Sequence, residues 1–146
     1  MSRTVPSRIS RRTALRGAAV AGTAGLGLTA CSTGSGDGAA AAPTAPVDLG
    51  KATEVPAGGA KLYNDEHVVV SRTRDDTDGA YKAFSTICTH AGCPIRMLEG
   101  TELTCNCHGS KFDATTGKVL HAPATEPLEE LAVEVRGGKL VVRPKK

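Results

Sequence analysis

Tryptophan is absent from this 146-residue sequence, and phenylalanine, tyrosine and methionine occur only twice each. Aromatic side chains bury the largest areas, so the core must be assembled from Val, Leu, Ile and Ala, and a domain of this size then relies on staples such as a disulfide or a metal group. Acidic residues are missing from residues 1–30, which carry Arg3, Arg8, Arg11, Arg12 and Arg16. Setting that stretch aside leaves 13 basic against 15 acidic residues, so the net charge of +3 for the whole chain misleads. Without an excess of positive charge to neutralise phosphates, nucleic acid is not expected as a partner. Long apolar runs are also lacking. The most apolar stretch, Gly17 to Ala30, spans about 21 Å as a helix, against about 30 Å of hydrocarbon in a bilayer.

What is present at the N-terminus reads as targeting information. Ser10-Arg11-Arg12-Thr13-Ala14-Leu15-Arg16 resembles the twin-arginine export motif, with Ala14 where that motif usually has Phe, followed by a short apolar region. Leu28-Thr29-Ala30-Cys31 resembles a bacterial lipobox, which implies lipidation of Cys31 as the mature N-terminus; the alternative leaves Cys31 as a free thiol. Ser32 to Pro46 is rich in Gly, Ala, Ser, Thr and Pro and has no apolar face to bury, as in a flexible linker. The expected organisation is a signal peptide over 1–30, a lipid-anchored linker over 31–46 and one domain over 47–146. The expected location is the outer face of the bacterial cytoplasmic membrane.

From Val47 onward helical periodicity is absent, and short strands are predicted at His67–Thr73, Tyr81–Ile87, Glu102–Cys105 and Leu131–Arg136. Turn signals stand at Asn64-Asp65, Asp78-Gly79, Thr116-Gly117 and Gly137-Gly138, the last predicting a two-residue hairpin into Lys139–Arg143. The fold class is all-β, a small antiparallel sandwich or barrel.

Four metal-capable side chains fall in two short segments, Cys88-Thr89-His90-Ala91-Gly92-Cys93 and Cys105-Asn106-Cys107-His108-Gly109-Ser110. Each segment offers one Cys and one His. Zinc in a Cys₂His₂ site usually takes both cysteines from one pair and both histidines from the other, whereas the mixed pairing suits a [2Fe–2S] cluster in which one iron takes two thiolates and the other two imidazoles. A structural zinc module stays open as the non-redox alternative.

CTHAGCPI, CNCHGSKFD and TGKVLHAPATEPL together resemble the Rieske iron–sulfur family, in its disulfide-containing cytochrome bc and b6f branch. The resemblance implies a Rieske-type sandwich or barrel with a small cluster-binding subdomain of two loops. It makes Cys88, His90, Cys105 and His108 the cluster ligands and pairs Cys93 with Cys107 in a disulfide; two free thiols are the other reading of that pair. Ser110 then matches a serine that donates to a bridging sulfide in high-potential members, and Phe112 stands where those members carry a Tyr hydroxyl. One donor is kept and one lost, so an intermediate potential is expected.

His108 corresponds to the histidine that meets quinol in the quinol-oxidising branch. Ala122-Pro123-Ala124-Thr125 matches that branch's proline loop only loosely, lacking its leading Gly and second Pro. Expected partners are a cytochrome b or c, or a subunit of another exported oxidoreductase, together with the membrane through the lipid. The chain itself is expected to have no substrate site and to serve as an electron-transfer subunit; a ferredoxin of an oxygenase system is the further alternative. His67 and His121 are read as non-ligands.

Overall fold

The computed structural model describes residues 40–75 and 80–146. The arginine motif, the apolar stretch, Cys31 and the Asp78-Gly79 turn lie outside those residues, as does most of the linker. Ten strands account for nearly all the regular structure described: β1 (Val47–Lys51), β2 (Ala60–Tyr63), β3 (Val68–Arg72), β4 (Tyr81–Ser85), β5 (Met97–Glu99), β6 (Glu102–Thr104), β7 (Lys111–Asp113), β8 (Val119–His121), β9 (Glu130–Arg136) and β10 (Lys139–Pro144). One 3-10 turn, Ala52–Glu54, follows β1. The all-β expectation holds. Among the described residues no helix is long and apolar enough to cross a membrane.

The strands form two antiparallel sheets, one of six in the order β1-β10-β9-β4-β3-β2 and one of four in the order β5-β6-β7-β8. In the larger sheet Val68, Val69 and Val70 are all fully buried. Their continuous apolar run, without alternation, follows from a strand covered on both faces. Val68, Val70 and Ala83 point into one cluster with Leu131, Leu140 and Val142. Val69 and its cross-strand partner Phe84 point into the other, with Leu103 and Phe112 of the smaller sheet. That second cluster joins the sheets and carries the cysteines described below.

The Gly137-Gly138 hairpin forms as predicted, with Arg136 opposite Lys139 and positive φ at both glycines, 56° and 79°. A two-residue turn of this hand matches the strand twist. The predicted strand bounds shift by one or two residues. Tyr81–Ile87 stops at Ser85 because the Ser85 Oγ accepts the Ile87 N–H at 3.2 Å, and Ile87 forms only an isolated bridge with Pro94. His67 does not open β3: its φ is +54°, which places it in the preceding turn, where its carbonyl accepts the Thr86 N–H.

Candidate metal centre

The two Cys/His segments are carried out of the sandwich at strand ends, the first between β4 and β5 and the second between β6 and β7. They have the same backbone frame. In each six-residue loop the N–H of the first residue donates to the carbonyl of the sixth, Cys88 to Cys93 at 2.8 Å and Cys105 to Ser110 at 2.9 Å. In each the fifth residue, a glycine, donates back to the first, Gly92 to Cys88 at 2.8 Å and Gly109 to Cys105 at 2.9 Å. Both glycines sit at positive φ, 72° and 83°, which explains their place in the pattern.

This frame sorts the side chains by depth. Cys88 and Cys105 are buried, at 2% and 0% exposure, within the apolar cluster that includes Val69, Ile95, Leu103 and Phe112. His90 and His108 are exposed, and their rings meet edge to face with centroids 4.8 Å apart. The four residues expected as ligands thus come together as two inner thiols and two outer imidazoles. Burial pushes the Cys105 thiol up; the backbone amides of Cys107 and His108 pull it down, while the adjacent Cys88 thiol adds to the upward push. On balance the thiol is held up, burial outweighing the two amides directed at the sulfur.

Cys93 and Cys107 form a disulfide that spans the two loops, with Cα atoms 6.6 Å apart. The Sγ atoms of Cys93, Cys105 and Cys107 lie within 4.8 Å of one another. Two of the three are spent in the disulfide, so this trio is no metal site. Among the described residues the thiols free to bind are Cys88 and Cys105.

A third segment covers the centre. Following the cis Ala122–Pro123 bond, the Ala124 N–H donates to the buried Ser110 Oγ at 3.1 Å, and the Glu126 carbonyl accepts from the Thr89 Oγ1 at 2.7 Å. One bond goes to each loop. The segment that matched the proline loop only loosely in sequence is therefore tied to both ligand loops, through Thr89 and Ala124. Sequence reasoning quoted both residues within their segments but gave neither this bridging role, although Thr89 stands between two expected ligands. Because the Ser110 oxygen accepts from Ala124, its own hydrogen stays available for an acceptor in the site. Phe112 is fully buried on β7 and brings no donor. His121 is exposed and its Nδ1 lies 2.7 Å from the Ala122 carbonyl oxygen.

Residues 45–133 match the family model described as the Rieske [2Fe-2S] domain. The cytochrome b6-f complex iron-sulfur subunit of Chlorobaculum tepidum is 37% identical over 97 residues, covering 64% of this chain and 51% of that one. A putative respiratory nitrate reductase subunit Rieske of Haloferax mediterranei is 43% identical over 56 residues, 38% of this chain and 26% of its own. Among solved structures, the cyanobacterial plasma membrane Rieske protein of Synechocystis PCC 6803 is similar with a TM-score of 0.52 and 31% identity, covering 66% of this chain and 98% of the other. The chain spans about half the length of the b6-f relative.

Proposed function

The chain belongs to the Rieske [2Fe-2S] family, and from that premise we propose that it is the iron–sulfur subunit or carrier of a quinol-oxidising, cytochrome bc-type chain, tethered at the outer face of the cytoplasmic membrane. Rieske-type electron transfer is its activity. The donor set fits the cluster: two buried thiols beside each other, two exposed imidazoles in contact, and a buried hydroxyl with its proton unspent. In this reading Cys88 and Cys105 would hold one iron and His90 and His108 the other. When bound, the cluster supplies a one-electron couple at about −150 to +300 mV, raised above all-cysteine clusters by its imidazoles.

The protein residues divide the remaining work. The apolar wall around Cys88 and Cys105 excludes water from the thiolate side, which strengthens every hydrogen bond made there. Ser110 accepts from Ala124 and so keeps its own proton for an acceptor, and the Cys107 and His108 amides direct theirs at the Cys105 sulfur. His90 and His108 stand exposed with their rings in edge-to-face contact, open to solvent or a partner.

The observation that carries the quinol-chain reading is the disulfide across the two loops, the mark of the branch that the sequence resembles, and the b6-f relative supports it. The nitrate reductase relative supports a second reading, the electron-relay subunit of another exported oxidoreductase, with which the donor-free Phe112 is consistent. Isolating the tagged full chain from its native membranes distinguishes them. Co-isolated b- and c-type haem supports the first reading; molybdenum without b-type haem supports the second, and a chain found only in the soluble fraction overturns both. Two iron and two acid-labile sulfide per chain, with an EPR signal on reduction, are expected of the purified protein, and zinc alone would overturn the cluster.

A further inference from the structure

Cys105 lies beside a bond that it can attack. Its sulfur is a free thiol, buried at 0% exposure, and sits within 4.8 Å of both sulfurs of the Cys93–Cys107 disulfide. Thiol–disulfide exchange needs a thiolate close to a disulfide sulfur and a leaving thiolate that is well accommodated. Here the thiol at hand belongs to the same chain.

We propose that Cys93, Cys105 and Cys107 form a thiol–disulfide exchange site that is silent while Cys105 binds iron and active whenever the cluster is lost. In the exchange the Cys105 thiolate attacks the Cys93 sulfur, the Cys93–Cys107 bond breaks, and a Cys93–Cys105 bond forms. Cys107 leaves as a thiolate and takes up the proton that Cys105 gave up, so no oxidant or reductant is consumed. Attack on Cys107 instead would close a disulfide between residues two apart and untie the loops; attack on Cys93 keeps a link between them. Cys107 is exposed and Cys105 buried, so the exchange moves the free thiol from the interior to the surface, where its thiolate is hydrated. The product has lost one cluster ligand. Cluster and disulfide therefore guard each other: iron on Cys105 preserves the native linkage, and the native linkage keeps Cys105 free for iron.

This inference rests on the assignment of Cys105 as a ligand, and its test separates the two. The loaded full-length protein is stripped anaerobically with a chelator, freed of released sulfide by desalting, incubated without denaturant, alkylated and mapped by mass spectrometry. Before stripping, iron analysis and the Cys93–Cys107 peptide report on the cluster reading itself. After stripping, a Cys93–Cys105 peptide should appear together with alkylation at Cys107. The full-length Cys88→Ser variant, prepared without cluster and so without sulfide, should show the same linkage. In Cys105→Ser, Cys107 should stay unlabelled, which shows that its release depends on the internal thiol. Persistence of Cys93–Cys107 with alkylation at Cys105, in both the stripped protein and Cys88→Ser, would overturn the proposal.

Discussion

Gly117 shows how tightly single residues are specified around the centre. Its φ is +71°, and a Cβ placed there would stand 2.6 Å from the ring of Phe84, a side chain buried between the sheets. Gly117→Ala should destabilise the domain by about 2–4 kcal/mol, combining backbone strain with overpacking, measured as a lower midpoint in urea. Ser110→Ala removes the acceptor of a buried amide, Ala124 N–H, at about 1–3 kcal/mol, and should lower the reduction potential as well. Phe112→Tyr should raise the potential by roughly 60 mV or more, the one-electron equivalent of a charge-assisted hydrogen bond; a potentiometric titration showing no rise would refute the role given to this position.

Asp113 illustrates pH dependence at the same scale. Burial pushes its carboxyl up, but the Thr115 hydroxyl and amide and the Thr116 groups together hold it below the ordinary 3.8. A carboxyl depressed in the folded state stabilises fully above that value, and its contribution is lost as pH falls through the lower folded value. Wild-type thermal stability should therefore fall below about pH 4, and Asp113→Asn should remove that part of the acid dependence.

Among the elements, legibility tracked length and chemistry. The β9–β10 hairpin was readable because its Gly-Gly turn has a single good backbone solution. Strands β5, β7 and β8 have three residues each, too few to display a period of two; β6, equally short, was read beside its ligand cysteine, and β1 and β2 were not read. The ligand segments were legible as chemistry because a Cys and a His in each is a rare pattern, and the disulfide followed from the resemblance. The tie of Thr89 to Glu126 was not legible, since its acceptor is a backbone carbonyl 37 residues away and leaves no mark on side-chain identity. The disulfide itself closes a separation of 14 residues. Replacing both Cys93 and Cys107 by Ser should cost about 3 kcal/mol by loop-closure entropy and lower the thermal midpoint of the loaded protein.

For the whole molecule, the proposed tether makes a prediction that the domain alone does not. Cys31→Ala in the exported full chain should move the protein from the membrane to the soluble fraction while iron content and EPR signal persist. Retention at the membrane would place the anchoring in a partner subunit instead. Truncation to residues 47–146 should leave cluster binding intact, because both apolar clusters draw every buried residue from that range.

The depth ordering of the centre has a consequence for traffic. With both thiols sealed in apolar packing and both imidazoles at the surface, the domain is a device with one terminal and an insulated back. In the proposed function, charge enters and leaves by the histidine face. Donor and acceptor would then take turns there, with the loaded domain passing between them. Shortening or stiffening the proposed linker should slow throughput while leaving the potential unchanged.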